Sequence, residues 1–326
     1  MSISRRTFLE TTALSGLAAG SLAADTPARM PTRVLGKTGV RVSILGMGAG
    51  SRFLLYKEED QAIEAVRKAL ELGINYIDTA DGYGRNHLSE QRVGKAIKGR
   101  REGIFLATKI SSRDPGQAPR VVEESLKALQ VDQVDLIHIH ELTTAEDLAG
   151  IEAKGGALDL VRKLRDQKIT RFIGITSHAD PAVFKTALER HDFDCAQMTL
   201  NAGMVGMASG PRKGGLVLDT ATPGSFEALA LPVAIRKNMG VLAIKVYGQE
   251  HLIGQATPEK LLYYALSLPV ASAVVGMPKL EHIDDNVRLA KAFKPLPAAE
   301  MKRLSQELSA KNKTALELFF RNHVDA

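Results

Sequence analysis

The chain has no tryptophan and a single cysteine among its 326 residues. One thiol cannot close an intramolecular disulfide, so no disulfide framework holds this fold together. Cys195 lies in an apolar, strand-like run and reads as a small core residue rather than a nucleophile. Charge of one sign is scarce as well: the formal net charge is +6, and the basic residues are interleaved with acidic ones along helical stretches. That pattern describes solvated helix faces and excludes the clustered basic surface of a nucleic-acid binder. Long apolar runs are missing too. The run 11–24 is short and rich in Ala, Gly and Ser, too weak for a stable membrane-spanning helix.

Ahead of that run stands Ser4-Arg5-Arg6-Thr7-Phe8-Leu9, which resembles a twin-arginine export signal. Ser21-Leu22-Ala23 or Leu22-Ala23-Ala24 offers the small residues that a signal peptidase takes. On this reading residues 1–24 are a signal peptide and 25–326 the folded protein, delivered to the periplasm by the twin-arginine machinery. A basic, unstructured tail is the alternative. Such signals accompany proteins exported already folded, often with a cofactor loaded, and a chain without disulfides suits that route.

From Arg33 onward, strand-like runs alternate with amphipathic helices. Val34-Leu35 and Arg41-Val42 flank a Gly36-Lys37-Thr38-Gly39 turn and predict a small hairpin. Strands are expected at Val42–Gly48, Asn75–Ile77, Ile104–Thr108, Val134–Ile139, Arg171–Ile175, Asp194–Leu200, Val241–Val246 and Ala271–Val275. Helices are expected at Glu58–Leu72, Ser89–Ile97, Ala118–Leu129, Leu158–Gln167, Pro181–Arg190, Phe226–Asn238 and Pro258–Leu268. Two more, near Ile283–Ala292 and Ala298–Leu308, close the chain. Asn201–Gly224 reads as an irregular, glycine-rich loop over the substrate pocket, with Met204, Val205 and Met207 available to an apolar substrate part. Eight strand–helix units without a linker predict an α/β protein, a (β/α)8 TIM barrel with a short N-terminal hairpin and C-terminal helices. Chemistry in such a barrel sits at the C-terminal strand ends, where Asp78, Lys109 and His140 fall, with Tyr83 in the turn after Asp78.

These residues belong to longer patterns: Gly73-x-Asn75-x-x-Asp78-Thr79-Ala80-x-x-Tyr83-Gly84, Ser89-Glu90-x-x-Val93-Gly94-Lys95-Ala96, Ala107-Thr108-Lys109, and Asp135-Leu136 with His140. Together they resemble the aldo-keto reductase family over nearly the whole chain after the signal. The resemblance implies an NAD(P)(H)-dependent oxidoreductase that interconverts carbonyl compounds and alcohols by hydride transfer. Tyr83 would be the general acid, Lys109 the cation that lowers the phenol's pKa, Asp78 the anchor of that ammonium, and His140 the residue that orients the carbonyl. A structural Asp78–Lys109 ion pair beside a packed tyrosine is the competing reading. His138 and His140 point to the same side of one strand, but no third histidine with a matching carboxylate accompanies them. His138 is expected inside the barrel, one layer below the site.

For the nucleotide, the family places a Ser-Asn pair after strand five and a Gln on strand six; Thr176-Ser177 and Gln197 stand there. Ile244 replaces the usual stacking aromatic after strand seven, with Lys245 beside it. Gly276 begins the segment that leads through Lys279 and His282 to Asp285-Asn286, which resembles the adenine-binding end. His282 aligns with a frequent 2′-phosphate arginine, and Lys279 offers a point charge without a bidentate fork; NADP(H) is favoured over NAD(H). Gly46-Met47-Gly48-Ala49-Gly50 lacks the spacing and following helix of a Rossmann loop, so its glycines are expected to bring backbone close to substrate or nicotinamide. Two rival functions stay open: a non-catalytic nucleotide-binding sensor, and a sugar oxidoreductase that keeps its nucleotide bound.

Overall fold

The structure, a computed structural model, describes residues 29–204, 206–209, 216–219 and 224–321. The expected signal, 1–24, and Val205 lie outside the described residues. A short antiparallel hairpin, β1 (Thr32–Val34) with β2 (Arg41–Ser43), precedes the barrel. The first six barrel strands are β3 (Leu45–Gly48), β4 (Tyr76–Asp78), β5 (Phe105–Ile110), β6 (Val134–Ile139), β7 (Thr170–Ser177) and β8 (Cys195–Thr199). An antiparallel excursion, β9 (Gly206–Ser209) with β10 (Leu216–Asp219), comes before the last two, β11 (Gly240–Ile244) and β12 (Ser272–Val275). All eight barrel strands run parallel, and the ring closes through β12 on β3 and β11 on β8.

The helices form the outer layer. They are α1 (Glu59–Glu71), α2 (Leu88–Ile97), α3 (Ala118–Leu129), α4 (Ala145–Glu152), α5 (Ala157–Asp166), α6 (Pro181–Arg190), α7 (Phe226–Leu229), α8 (Leu231–Arg236), α9 (Pro258–Ser267), α10 (Leu280–Ala292) and α11 (Ala298–Arg321). Among the described residues no helix is long and apolar enough to cross a membrane.

Alternation along the strands sorts side chains into two cores. Ile77, Leu106, Ile137 and Ile139 point outward and bury against the helices. Tyr76, Phe105 and Leu136 point inward, joined by Leu242 and Val274. Their rings stack, Tyr76 on Phe105 at 5.4 Å and Phe105 on Phe172 at 6.1 Å. Leu35 and Val42 of the hairpin complete this inner cluster, so the N-terminal end of the barrel is plugged and the opposite mouth is left for the site. One layer above the plug lies His138, fully buried beside Lys109 and Gly174, as expected. A Cβ on Gly174 would come within 2.4 Å of the His138 ring.

Several boundaries differ from expectation for identifiable reasons. Val42–Gly48 is not one strand: Ser43 Oγ donates to the Leu45 carbonyl, and Ile44 N donates to Pro31 O, which separates the hairpin from β3. Phe226–Asn238 breaks at Ala230, because Pro232 in the first turn of α8 has no N–H to continue a ladder. Helix α4 was not expected; Thr144 caps it by accepting from Asp147 N at 3.2 Å. The segment 201–224 carries the β9–β10 pair and is not wholly irregular. The last helix continues to Arg321 rather than ending at Leu308.

Candidate active site

The two strands β4 and β5 lie side by side, in register from Tyr76↔Phe105 to Asp78↔Ala107. Asp78 and Lys109 therefore face the barrel interior at its C-terminal end, and both are buried. Lys109 Nζ donates to Asp78 Oδ2 at 2.5 Å, to the Thr79 carbonyl at 2.8 Å and to Tyr83 Oη at 3.2 Å. Three acceptors thus satisfy all three ammonium protons. The other Asp78 oxygen accepts from Gln197 Nε2 at 3.0 Å. Gln197 sits on β8, four strands from β4 and so diametrically opposite in the ring of eight.

Burial pushes the Lys109 ammonium down, but Asp78, aided by Tyr83, outweighs it and leaves the lysine above its ordinary value. For Tyr83 the balance falls the other way from the sequence expectation. Burial raises the phenol and Lys109 opposes, but the net shift is upward. Lys109 therefore moderates the cost of burial and does not make Tyr83 an unusually strong acid. The phenol stays protonated, with Lys109 donating to its oxygen.

The Tyr83 ring is held from two sides. It meets the His140 ring edge-on at 5.4 Å. A Cβ on Gly50 would stand 3.3 Å from its carbons. The loop carrying Gly50 is itself pinned, since Ser89 Oγ donates to the Ala49 carbonyl at 2.6 Å and pairs with Thr79 Oγ1 at 2.8 Å. The glycines of 46–50 make room for protein, Gly46 for the Tyr76 ring, Gly48 for the backbone of Gly276 and Gly50 for Tyr83, while Gly48 and Gly50 also line the cavity above. His140 follows β6 and continues its pairing through its N–H to Ile110 O at 3.0 Å. Arg113 Nη2 donates to the His140 carbonyl at 2.7 Å, and the same guanidinium is paired with Asp147 at 2.7 Å. Burial first, then Lys109, holds the His140 imidazole well below the usual histidine value, so it is neutral.

Above these residues opens a cavity of 1200 Å³. Asp78, Tyr83 and His140 line its floor; Thr176, Gln197, Ile244 and Lys245 line its wall; Gly276, Lys279, His282, Asp285 and Asn286 follow toward α10. Ser177 is not among the lining residues: it is buried, and its hydroxyl donates to the Leu142 carbonyl at 2.7 Å, behind the strand. The neighbouring His178 lines the cavity instead and pairs with Glu141 at 3.3 Å. Thr176 Oγ1 accepts from the Glu141 N–H at 2.8 Å. Asn286 is already engaged, taking the Tyr247 hydroxyl on its Oδ1 and giving Nδ2 to the His282 carbonyl at 2.7 Å. Asp285 pairs with Arg288 at 3.0 Å.

Arg52, Glu141, His178 and Tyr247 were not singled out from the sequence. Arg52 reaches from the first barrel loop to Glu250 at 3.2 Å, after β11. Only the fold puts it there, because Arg52 and Glu250 are distant in sequence. Lys245 has left-handed backbone geometry, φ 57°, and its ammonium has no hydrogen-bond or ion-pair partner among the described residues. Burial lowers it from 10.5 to about 8, with nearby Glu141 opposing.

The sequence profile of the Aldo/keto reductase family matches residues 44–208, a span that includes Asp78, Tyr83, Lys109, His140 and Gln197. The chain belongs to the aldo/keto reductase family. It is 28% identical over 304 residues to the uncharacterized oxidoreductase YqkF of Bacillus subtilis, covering 84% of this chain and 95% of that one. It is 29% identical over 290 residues to L-galactose dehydrogenase of Arabidopsis thaliana, covering 79% and 88%. Among solved structures it is similar to an aldo-keto reductase from Bacillus halodurans in its holo form, with a TM-score of 0.67 and 26% identity over 86% of this chain and 96% of that one. Aldo/keto reductases are oxidoreductases, and the cavity at the C-terminal mouth is where this barrel presents its titratable groups.

Proposed function

We propose that the protein is a nicotinamide-nucleotide-dependent oxidoreductase that interconverts a carbonyl compound and its alcohol, with Tyr83 as general acid and base. The observation that carries this reading is the chain of hydrogen bonds from buried Asp78 and Lys109 to half-buried Tyr83 at the floor of an open cavity. An isolated structural ion pair would not place a protonated phenol at a cavity floor. Two relatives named as an oxidoreductase and a sugar dehydrogenase support the same class.

The cavity fits a dinucleotide. It is large, it runs from the phenol to the N-terminal turn of α10, and its wall carries a cation, Lys245, with no hydrogen-bond or ion-pair partner among the described residues. Lys245 would meet the pyrophosphate, and Lys279 at the N-cap of α10 with His282 in its first turn would meet a 2′-phosphate, which favours NADP(H) over NAD(H). Gln197 and Thr176 would border the nicotinamide, with Ile244 covering its ring. When bound, the nucleotide supplies or accepts the hydride. The protein's own part is proton management: Tyr83 gives its proton to the substrate oxygen as negative charge develops there, Lys109 stabilises the phenolate left behind, and Asp78 keeps the ammonium charged and in place. Aldehyde-dependent loss of NADPH absorbance tests the reading, with NADH run beside it. No turnover across a broad aldehyde panel, despite nucleotide binding, would favour the sensor alternative.

Lys245 makes the reading sensitive to pH. Below about 8 its ammonium is charged and attracts the nucleotide's phosphates; above that value it is increasingly neutral. Nucleotide affinity measured by fluorescence titration is expected to weaken as pH rises from 7 to 9. The limit is about tenfold per pH unit, the slope for one proton. Lys245→Met should bind more weakly at pH 7 and lose the dependence. A parent affinity that is flat across this range would remove Lys245 from the nucleotide site.

The N-terminal residues support export by the twin-arginine route to the periplasm. Replacing Arg5 and Arg6 together by lysine is expected to retain the protein in the cytoplasm, read by cell fractionation. Unchanged export of the double variant would end that assignment.

A further inference from the structure

The hydrogen bonds behind His140 determine which of its ring nitrogens carries the proton. Ser111 follows β5 at the rim of the mouth. Its Oγ donates to Asp81 Oδ1 at 2.7 Å and lies 3.0 Å from His140 Nδ1. The Asp81 carboxylate is an acceptor on both oxygens: Oδ1 also takes the Gly82 N–H at 2.7 Å, and Oδ2 takes the Ser111 N–H at 3.1 Å. A carboxylate has no proton to give, and a serine hydroxyl has one. That proton is committed to Asp81, so toward His140 the serine oxygen can only accept. The hydrogen between Ser111 and His140 must then belong to Nδ1. The imidazole is neutral, because burial, and after it the charge of Lys109 with smaller contributions from His178, Arg113 and His138, disfavours a second proton. A neutral ring with its proton on Nδ1 carries a lone pair on Nε2.

We propose that Asp81 and Ser111 are positioning residues that fix His140 as the Nδ1–H tautomer, so that the nitrogen left for the cavity, Nε2, accepts a hydrogen bond rather than donating one. Nε2 has no protein partner among the described residues, and His140 lines the cavity. The floor therefore offers two unlike groups: a donor at Tyr83 Oη, whose oxygen already accepts from Lys109, and an acceptor at His140 Nε2. A bare carbonyl satisfies only the first. A carbonyl with a hydroxyl on the neighbouring carbon satisfies both, its carbonyl oxygen taking the Tyr83 proton and its hydroxyl donating to His140. This substrate preference rests on the carbonyl–alcohol reading above; the tautomer does not.

The test separates the two. Protein labelled with ¹⁵N-histidine reports the protonated ring nitrogen directly, and the His140 signal is assigned by its loss in His140→Asn. The parent is expected to show a protonated Nδ1 and an unprotonated Nε2, Ser111→Ala to move the proton to Nε2, and Ser111→Thr, which keeps a hydroxyl, to restore the parent pattern. A parent ring protonated at Nε2 would overturn the proposal whatever the enzyme's activity. In kinetics, glycolaldehyde and acetaldehyde differ by one hydroxyl. The parent should prefer glycolaldehyde in kcat/KM by about tenfold, the worth of one hydrogen bond. That preference should collapse in Ser111→Ala and survive in Ser111→Thr. A preference equal in all three proteins would show that the relay does not reach the substrate. If neither aldehyde is turned over, the carbonyl reading fails, while the ¹⁵N spectra still decide the relay.

Discussion

Tyr83→Phe is expected to lower carbonyl turnover by about 10²–10⁴-fold, the usual worth of a positioned general acid, with little change in nucleotide affinity. The substitution removes one oxygen and keeps the ring. The ring is what packs: it meets His140 edge-on and leaves no space at Gly50, so phenylalanine fits the same slot. Lys109 loses one of three acceptors but retains Asp78 and the Thr79 carbonyl, and its charge stays paired. The nucleotide's expected contacts lie on the later strands and on α10, away from the substituted atom. The measurement is kcat on one aldehyde together with a nucleotide titration, with circular dichroism as the check on folding. A variant that turned over as fast as the parent would mean that the proton comes from another group.

Lys109→Met is expected to abolish turnover comparably and to destabilise the fold as well, by about 3–5 kcal/mol, because it leaves Asp78 as an unpaired buried charge. Only Gln197 would remain to the carboxylate. The companion variant Asp78→Asn with Lys109→Met removes both charges at once. It should recover much of the stability and none of the turnover, so urea unfolding and kinetics would diverge between the single and double variants. Equal urea midpoints for Lys109→Met and the parent would show that the pair contributes nothing to holding the mouth together. The pair's stabilising effect is complete below 10.5, the ordinary lysine value, and is lost only as pH climbs past the raised one. Lys109 therefore gives stability no slope between pH 7 and 9.

The barrel was legible because each strand–helix unit announces itself locally. Ala118–Leu129 and Pro181–Arg190 match expectation to the residue, each with a proline in the first turn and an apolar stripe. The cavity floor was legible because Asp78 and Lys109 at strand ends, and Tyr83 in the turn after Asp78, sit within recognisable patterns. What escaped depends on contacts between distant segments. Nothing near Arg52 indicates that it will meet Glu250, and nothing near Ser111 indicates that Asp81 and His140 will converge on it. Ser177 was misplaced for a subtler reason. Thr176 and Ser177 are consecutive in β7, so they must point to opposite faces, and only Thr176 can look into the cavity. The alternation that located His138 correctly would have located Ser177 too. The net rise in the Tyr83 pKa was also beyond the sequence, since the depth of burial, which here outweighs a cation 3.2 Å away, is a property of the packed barrel.

The hydrogen bond from Gln197 to Asp78 has a mechanical meaning. A closed ring of strands is stiff against slippage, because each neighbour is laddered to the next. It is much softer against flattening into an oval, a deformation that bends the ring without breaking any rung. A link between opposite points acts as a spoke and resists that flattening. Here the spoke ends on the carboxylate that grips Lys109, so the diameter it fixes is the one along which Lys109 and Tyr83 are held. The loops around the mouth can then be reshaped while the wheel beneath keeps its roundness.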